Sequence, residues 1–335
     1  SYHIDADLAV KAQDTHGLQV FKVHSALIAA ASPVWRQKIY GGEYARPKTG
    51  DWVISMCDVD ENAAGLDVIF SLIHYKFHEI PARPGMSLLH SIAQVANKYT
   101  CVHLLVPYTA KWIEGMDWQM IMTNQSGDDY EKALFITWVF GEPCWFYHTI
   151  FHVAYRATLD ANCGSLLSGG GVPLEQYGLP SGITDIIAKT RANAVSKMLS
   201  MLNASLTGLL DSSSQGNTAC CRSEDAAEEI KEQCQMMQLG SLIGGLTKAK
   251  MNPVPQVDQY KGSALSLGKQ LEDMKVSHFK IPGAKPHQDS HANCGFRGKD
   301  ITGEAMPEGI DLPGDLIQVL KGKAMRSGAY SAEMF

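Results

Sequence analysis

The sequence predicts an α+β chain: a small sheet packed by helices, followed by a mainly α-helical domain. Three observations carry that expectation. Leu8, Val10 and Ala12 alternate with Asp7, Ala9 and Lys11, the period of a half-buried strand. Leu66, Ile69, Phe70 and Ile73 fall on one helical face, as do Leu89, Ile92, Ala93 and Ala96. From Ser181 onward, Ile183, Ile186, Ile187, Ala194, Val195, Met198, Leu202, Leu206 and Leu209 share a long stripe.

The elements follow in order. Asp14-Thr15-His16-Gly17 has the turn chemistry of a hairpin, and Phe21 and Val23 give the returning strand one apolar face. His24 then leads into the apolar run Ala26–Ala31. Ser32 suits an N-cap and Pro33 a first helical position, so a second helix starts there. Trp52 to Met56 reads as a third strand, and Val102 to Trp112 as a helix. Asn124 to Asp129 reads as a loop. The aromatic-rich stretch that follows, with Phe135, Trp138, Phe140, Trp145, Phe146, Tyr147, Phe151 and Tyr155, is expected as a helical core rather than a ligand box, because buried aromatics at helical spacing serve packing. Ser168 to Gly171 is expected as an exposed loop. The long helix from Ser181 ends in a loop near 211–223, and a further helix spans about Glu224 to Lys248. A short helix near Ser263–Met274, a strand at Val276–Ile281 within an irregular tail starting at about 276, and a last helix at Pro313–Lys321 complete the reading.

Composition narrows the function classes. The chain has 335 residues, room for more than one domain, with 29 Lys and Arg against 35 Asp and Glu for a net charge of −6. That balance, without a Lys/Arg run, speaks against nucleic acid as a partner. No apolar run has the length of a membrane span, so no membrane is expected. Ser1-Tyr2-His3-Ile4-Asp5 does not read as a signal peptide. Eight Cys scattered through helical segments suit a reducing compartment, cytoplasm or nucleus. Gly262 to Gln270 imitates a phosphate-binding loop, but it carries one residue too many between its glycines and lacks the Ser or Thr for magnesium.

Residues Phe21 to Trp35, with Asp5 to Val10 upstream, Cys57 to Asn62 and then Ile73-His74-Tyr75 downstream, together resemble the BTB/POZ domain. The resemblance covers roughly residues 4 to 112. It implies a domain over 1–115, a helical domain over 116–335 similar to the extension on BTB proteins of filamentous fungi, and a non-enzymatic role. The implied work is protein-protein interaction: oligomerisation with itself or recruitment of a partner. A cullin is a second implied partner, which would make the chain a substrate adaptor of a ubiquitin ligase. An uncharacterised enzyme in the helical domain is a third reading.

Four residues are the partner-binding candidates that the resemblance implies: Asp7, His24, Tyr44 and Arg46. Asp7 and His24 match the positions that line a charged pocket in family members binding co-repressors, but Ser25 stands where a basic residue follows the His. Asp7 also reads as a cap on backbone donors and His24 as a core residue. Tyr44-Ala45-Arg46 matches the cullin-contacting loop, keeping the apolar anchor while Arg46 reverses the family's charge. No cofactor is required by this reading. Independently, Cys221, Cys234, His291 and Cys294 form a candidate structural zinc site, since a closed site takes four Cys or His ligands in a tetrahedron.

Overall fold

The computed structural model describes residues 5–14, 17–42, 44, 46–56, 63–123, 128–162, 164–215, 228–277, 279, 296–305, 310 and 312–329. Within them the chain is mixed α+β and mostly helical. It divides into two compact units, the first formed by 1–150, 174–180 and 311–335, the second by 151–173 and 181–310.

The first unit begins with β1 (Leu8–Asp14) and β2 (Gly17–Val23), an antiparallel hairpin in register from Leu8↔Val23 to Asp14↔Gly17. β3 (Val53–Met56) lies parallel to β1, with Ala9 opposite Val53, giving the order β2-β1-β3. A parallel neighbour needs a crossover. Here α1 (Ser25–Ala31) and α2 (Pro33–Tyr40) lie in that crossover. One face of the sheet is buried through Leu8, Val10, Ala12, Phe21, Val23 and Ile54. Ser32 separates the two helices and caps the second as expected: its Oγ accepts from the Trp35 amide at 3.1 Å and donates to the Tyr99 carbonyl at 2.5 Å.

α3 (Ala63–Ile73) is apolar nearly all round, the mark of a buried helix. α4 (Met86–Lys98) packs on it, and Gly65 permits the approach, since a Cβ there would meet the Ser91 carbonyl. A 3-10 turn over Val102–Leu105 leads into α5 (Val106–Glu114), then α6 (Trp118–Thr123) and α7 (Asp129–Phe140). α7 packs on α4, burying Phe135, Ile136 and Phe140. The boundary expected at 115/116 therefore falls inside this unit: the helices after Glu114 share the core of those before it.

The last helix of the unit is α13 (Gly314–Ser327), six residues longer at its C-terminal end than the expected Pro313–Lys321. It docks on α7. Ser327 Oγ donates to the Phe140 carbonyl at 2.6 Å, and Gly141, at φ 76°, sits where any Cβ would strike the backbone of Leu320 and Ala324. Gly is thus required twice over, by conformation and by space.

The second unit takes its part of α8 (Pro143–Arg156), the short pair β4 (Thr158–Leu159) and β5 (Leu166–Leu167), α9 (Ser181–Gln215), α10 (Glu228–Lys248), α11 (Ala264–Glu272) and α12 (Gly298–Ala305). Its core joins Val195, Met198 and Leu202 of α9 to Leu242 and Leu246 of α10, Leu267 and Leu271 of α11, and Ile301 of α12. Two expectations are corrected. The loop placed from 211 begins no earlier than 216, because α9 runs to Gln215; Gln235 on α10 donates to the Leu209 carbonyl at 2.7 Å and holds that last stretch. Residues 276, 277 and 279 are not in a strand: the Ser277 amide donates to Ser241 Oγ on α10 at 2.8 Å instead of to a neighbouring strand.

Candidate interaction surface

Asp7 stands just before β1 and reaches the start of α1. Its carboxylate accepts from the Ser25 amide and the Ser25 hydroxyl, both at 2.8 Å. His24 occupies the N-cap position with extended backbone but makes no side-chain cap, so Asp7 supplies from seventeen residues upstream what the local residue does not. An anion at a helix start also meets the positive end of the helix dipole. Burial of Asp7 acts to raise its pKa, but the two Ser25 hydrogen bonds and the nearby His24 outweigh it, and the carboxyl is held below its ordinary value. Ser25, where the resemblance leads one to expect a basic residue, is thereby the hydrogen-bond partner of Asp7.

The positive charge comes from elsewhere. Arg46 Nη1 lies 4.0 Å from Asp7 Oδ2, and its guanidinium lies over the Trp52 ring, 5.7 Å from the centroid. The Trp52 indole N–H donates to the Tyr44 carbonyl at 3.0 Å, and the Lys38 ammonium lies over the Tyr44 ring at 5.3 Å. Asp7, Tyr44 and Arg46 are therefore linked through Trp52, and Arg46, two-thirds exposed, presents a cation to solvent. An exposed pair of this length is worth ~0–1 kcal/mol, so it orients Arg46 more than it stabilises the fold.

The His24 amide donates to His74 Nε2 at 2.9 Å, while His74 Nδ1 lies 2.8 Å from the Phe70 carbonyl. Those partners assign the Nδ1–H tautomer, a neutral imidazole bridging α3 to the start of α1. Sequence reasoning missed the parts played by His74, Ser25 and Trp52. Two signals could have pointed to them: a polar His closing an apolar helix, and an aromatic residue following a run of turn formers.

The outer face of the sheet completes the surface. Leu18 (61 % exposed), Val20 and Val53 face outward, interleaved with Lys11 and Lys22 by the strand register. Tyr75 and Phe77 form a further exposed pair, edge to face at 6.2 Å.

Of the four candidate zinc ligands, Cys221, His291 and Cys294 lie outside the described residues. Cys234 is fully buried in α10, where its sulfur accepts from Gln238 Nε2 at 3.3 Å. No family model matches the chain, and no curated protein does.

Proposed function

We propose that the chain is a protein-protein interaction protein whose first unit is a BTB-type module, with no chemistry of its own. The order hairpin, two helices, parallel third strand, helices supports the BTB reading, and so does Asp7 at the start of α1. The observation that carries the function is the outer sheet face: β2 is an edge strand, and it exposes Leu18 and Val20 where solvated edges usually carry charge. The lysines around this apolar patch suit a partner with an apolar centre and acidic rim. The helical unit serves as a client-binding or stabilising domain.

Sedimentation of the full chain, alone and with a purified cullin N-terminal region, tests this. Association that Val20→Asp abolishes while the circular dichroism stays unchanged supports the reading. A wild-type chain that stays monomeric at high concentration and binds no partner through this face rejects it. Cullin binding that Tyr44→Ala removes and Arg46→Glu tightens would turn the reading into that of a ligase adaptor. The same proposal extends to structural zinc at Cys221, Cys234, His291 and Cys294. Binding there would require the Cys234 thiolate to leave the Gln238 amide for the metal, and elemental analysis of untagged protein should find about one zinc per chain.

A further inference from the structure

We propose that a cavity of about 240 Å³ in the first unit, lined by Asn97, Thr100, His103, Val139, Lys323 and Arg326, binds the phosphate group of a phosphate monoester. It opens where the C-terminal end of α4 and the 3-10 turn at Val102–Leu105 meet the last turns of α13.

The lining is cationic and unbalanced. Val102 also lines it, and among the described lining residues there is no carboxylate. Among the described residues neither Lys323 nor Arg326 has a carboxylate within ion-pair distance. They stand three apart on α13, so their side chains are neighbours on one helical face. Each is positioned from behind. The Lys323 ammonium rests over the Trp138 ring, 4.3 Å from its centroid. Arg326 Nε donates to the Gly322 carbonyl at 3.2 Å, which leaves the terminal amino groups for a two-pronged contact with an oxyanion.

Holding two cations together without an acid is costly, and Lys323 registers the cost. Burial first, then the charge of Arg326, pushes its pKa down to about 8. A dianion between the two would reverse both effects. Asn97 and Thr100, which also line the cavity, carry an amide and a hydroxyl that can serve as uncharged donors. Thr100 is held at φ 54°, a conformation a β-branched residue rarely adopts and one that recurs at ligand sites. The volume is below the roughly 300–1,000 Å³ of cavities that enclose a whole small molecule, which suits a charged head group with the remainder of its carrier outside.

Calorimetry on the full chain at fixed ionic strength tests the site with four probes: inorganic phosphate, glycerol phosphate, a phosphoserine peptide and its unphosphorylated form. Binding of glycerol phosphate assigns the site to small phosphate esters, and binding of the phosphopeptide alone assigns it to a modified protein; either supports the proposal. Arg326→Gln, at an exposed position, should keep its circular dichroism and weaken binding at least about tenfold, which is about 1.4 kcal/mol. Lys323→Met, which retains the stem over Trp138, should weaken it comparably. The proposal is overturned if no phosphate carrier binds, if the unphosphorylated peptide binds as well as the phosphorylated one, or if folded Arg326→Gln binds like the wild type.

Discussion

The two units bury basic side chains in opposite ways. In the first, the core is built on rings: Trp35 stacks on Tyr99 at 4.6 Å, Phe21 meets Phe70 edge to face, and Trp112 and Phe140 are fully enclosed. Into this core α4 places His90, which packs against Phe135 at 5.2 Å and whose Nε2 has no hydrogen-bond partner among the described residues. Burial, with a smaller contribution from the Lys132 charge, drops its pKa to about 4, so it is neutral at pH 7. In the second unit the core is mostly aliphatic and thioether, with Tyr155 as its buried ring, and α9 buries Arg191, 2 % exposed, with its charge retained. Arg191 donates from Nε to the Ala157 carbonyl at 3.1 Å and from Nη2 to those of Tyr260 and Gly262 at 2.8 and 2.5 Å. The lesson is about satisfaction rather than polarity. A buried base that gives up its charge can sit in an apolar core with one unpaired atom, whereas one that cannot must be surrounded by acceptors.

Arg191 gives the strongest way to test that contrast. Replacing it with Met keeps much of the stem but strands three carbonyls, a loss on the order of 4 kcal/mol. Hydrogen exchange should show the loss in α9, α11 and the segment around Ala157. If Arg191→Met changes exchange there by no more than a surface substitution does, the carbonyl cage is not what holds those segments.

His90 gives the second. A folded-state pKa of about 4 against an ordinary value of 6.5 means that, between those pH values, the unfolded chain binds a proton that the native one refuses. Stability from the neutral form is complete above about pH 6.5 and declines as pH falls toward 4, by roughly 3 kcal/mol in all. His90→Leu should flatten that part of the pH profile. A wild-type chain equally stable at pH 4.5 and 6.5 would contradict the assignment.

These contrasts mark the limit of what periodicity shows. The hairpin, the Ser32-Pro33 helix start, the apolar faces around Leu66 and Leu89 and the stripe from Ile183 were legible, because period and capping are local properties. The aromatic run was legible as core in part: Phe135, Trp138, Phe140, Phe146 and Tyr155 are buried, but Trp145 and Phe151 are half-buried and Tyr147 is exposed. What remained hidden depends on residues far apart in sequence. Nothing local in Gly314–Ser327 says that it returns to α7, since an apolar face does not name its partner. Gly141 reads as an ordinary helix stop until Ala324 lies against it. At the candidate surface, the capping role of Asp7 could be read, but Arg46 as its cationic neighbour could not, because the contact spans thirty-nine residues of chain. Likewise a helical stripe rich in Ile and Leu gives no warning that Arg191, on the same helix, is buried.

The smallest effect concerns the surface itself, where a charge is kept on the solvated side of the first unit. Asp7 caps α1 through the two Ser25 contacts, and replacing such a cap with Ala typically costs about 1 kcal/mol. The pH dependence runs with the same sign as that of His90 but in a lower window. Because the folded carboxyl is held below its ordinary value, its contribution is full above that value and disappears as pH falls through the folded pKa. A chain with His90→Leu, freed of the larger effect above pH 4, should therefore still lose stability in stronger acid, and adding Asp7→Asn should remove part of that remainder. Asn at this position can still accept from the Ser25 amide but no longer offers a charge to Arg46 or the helix dipole. It should fall between the wild type and Asp7→Ala in denaturant midpoint. If Asn and Ala are equally destabilising, the charge of Asp7 is what α1 requires; if Asn matches the wild type, the hydrogen bond suffices and Arg46 is free to serve a partner instead.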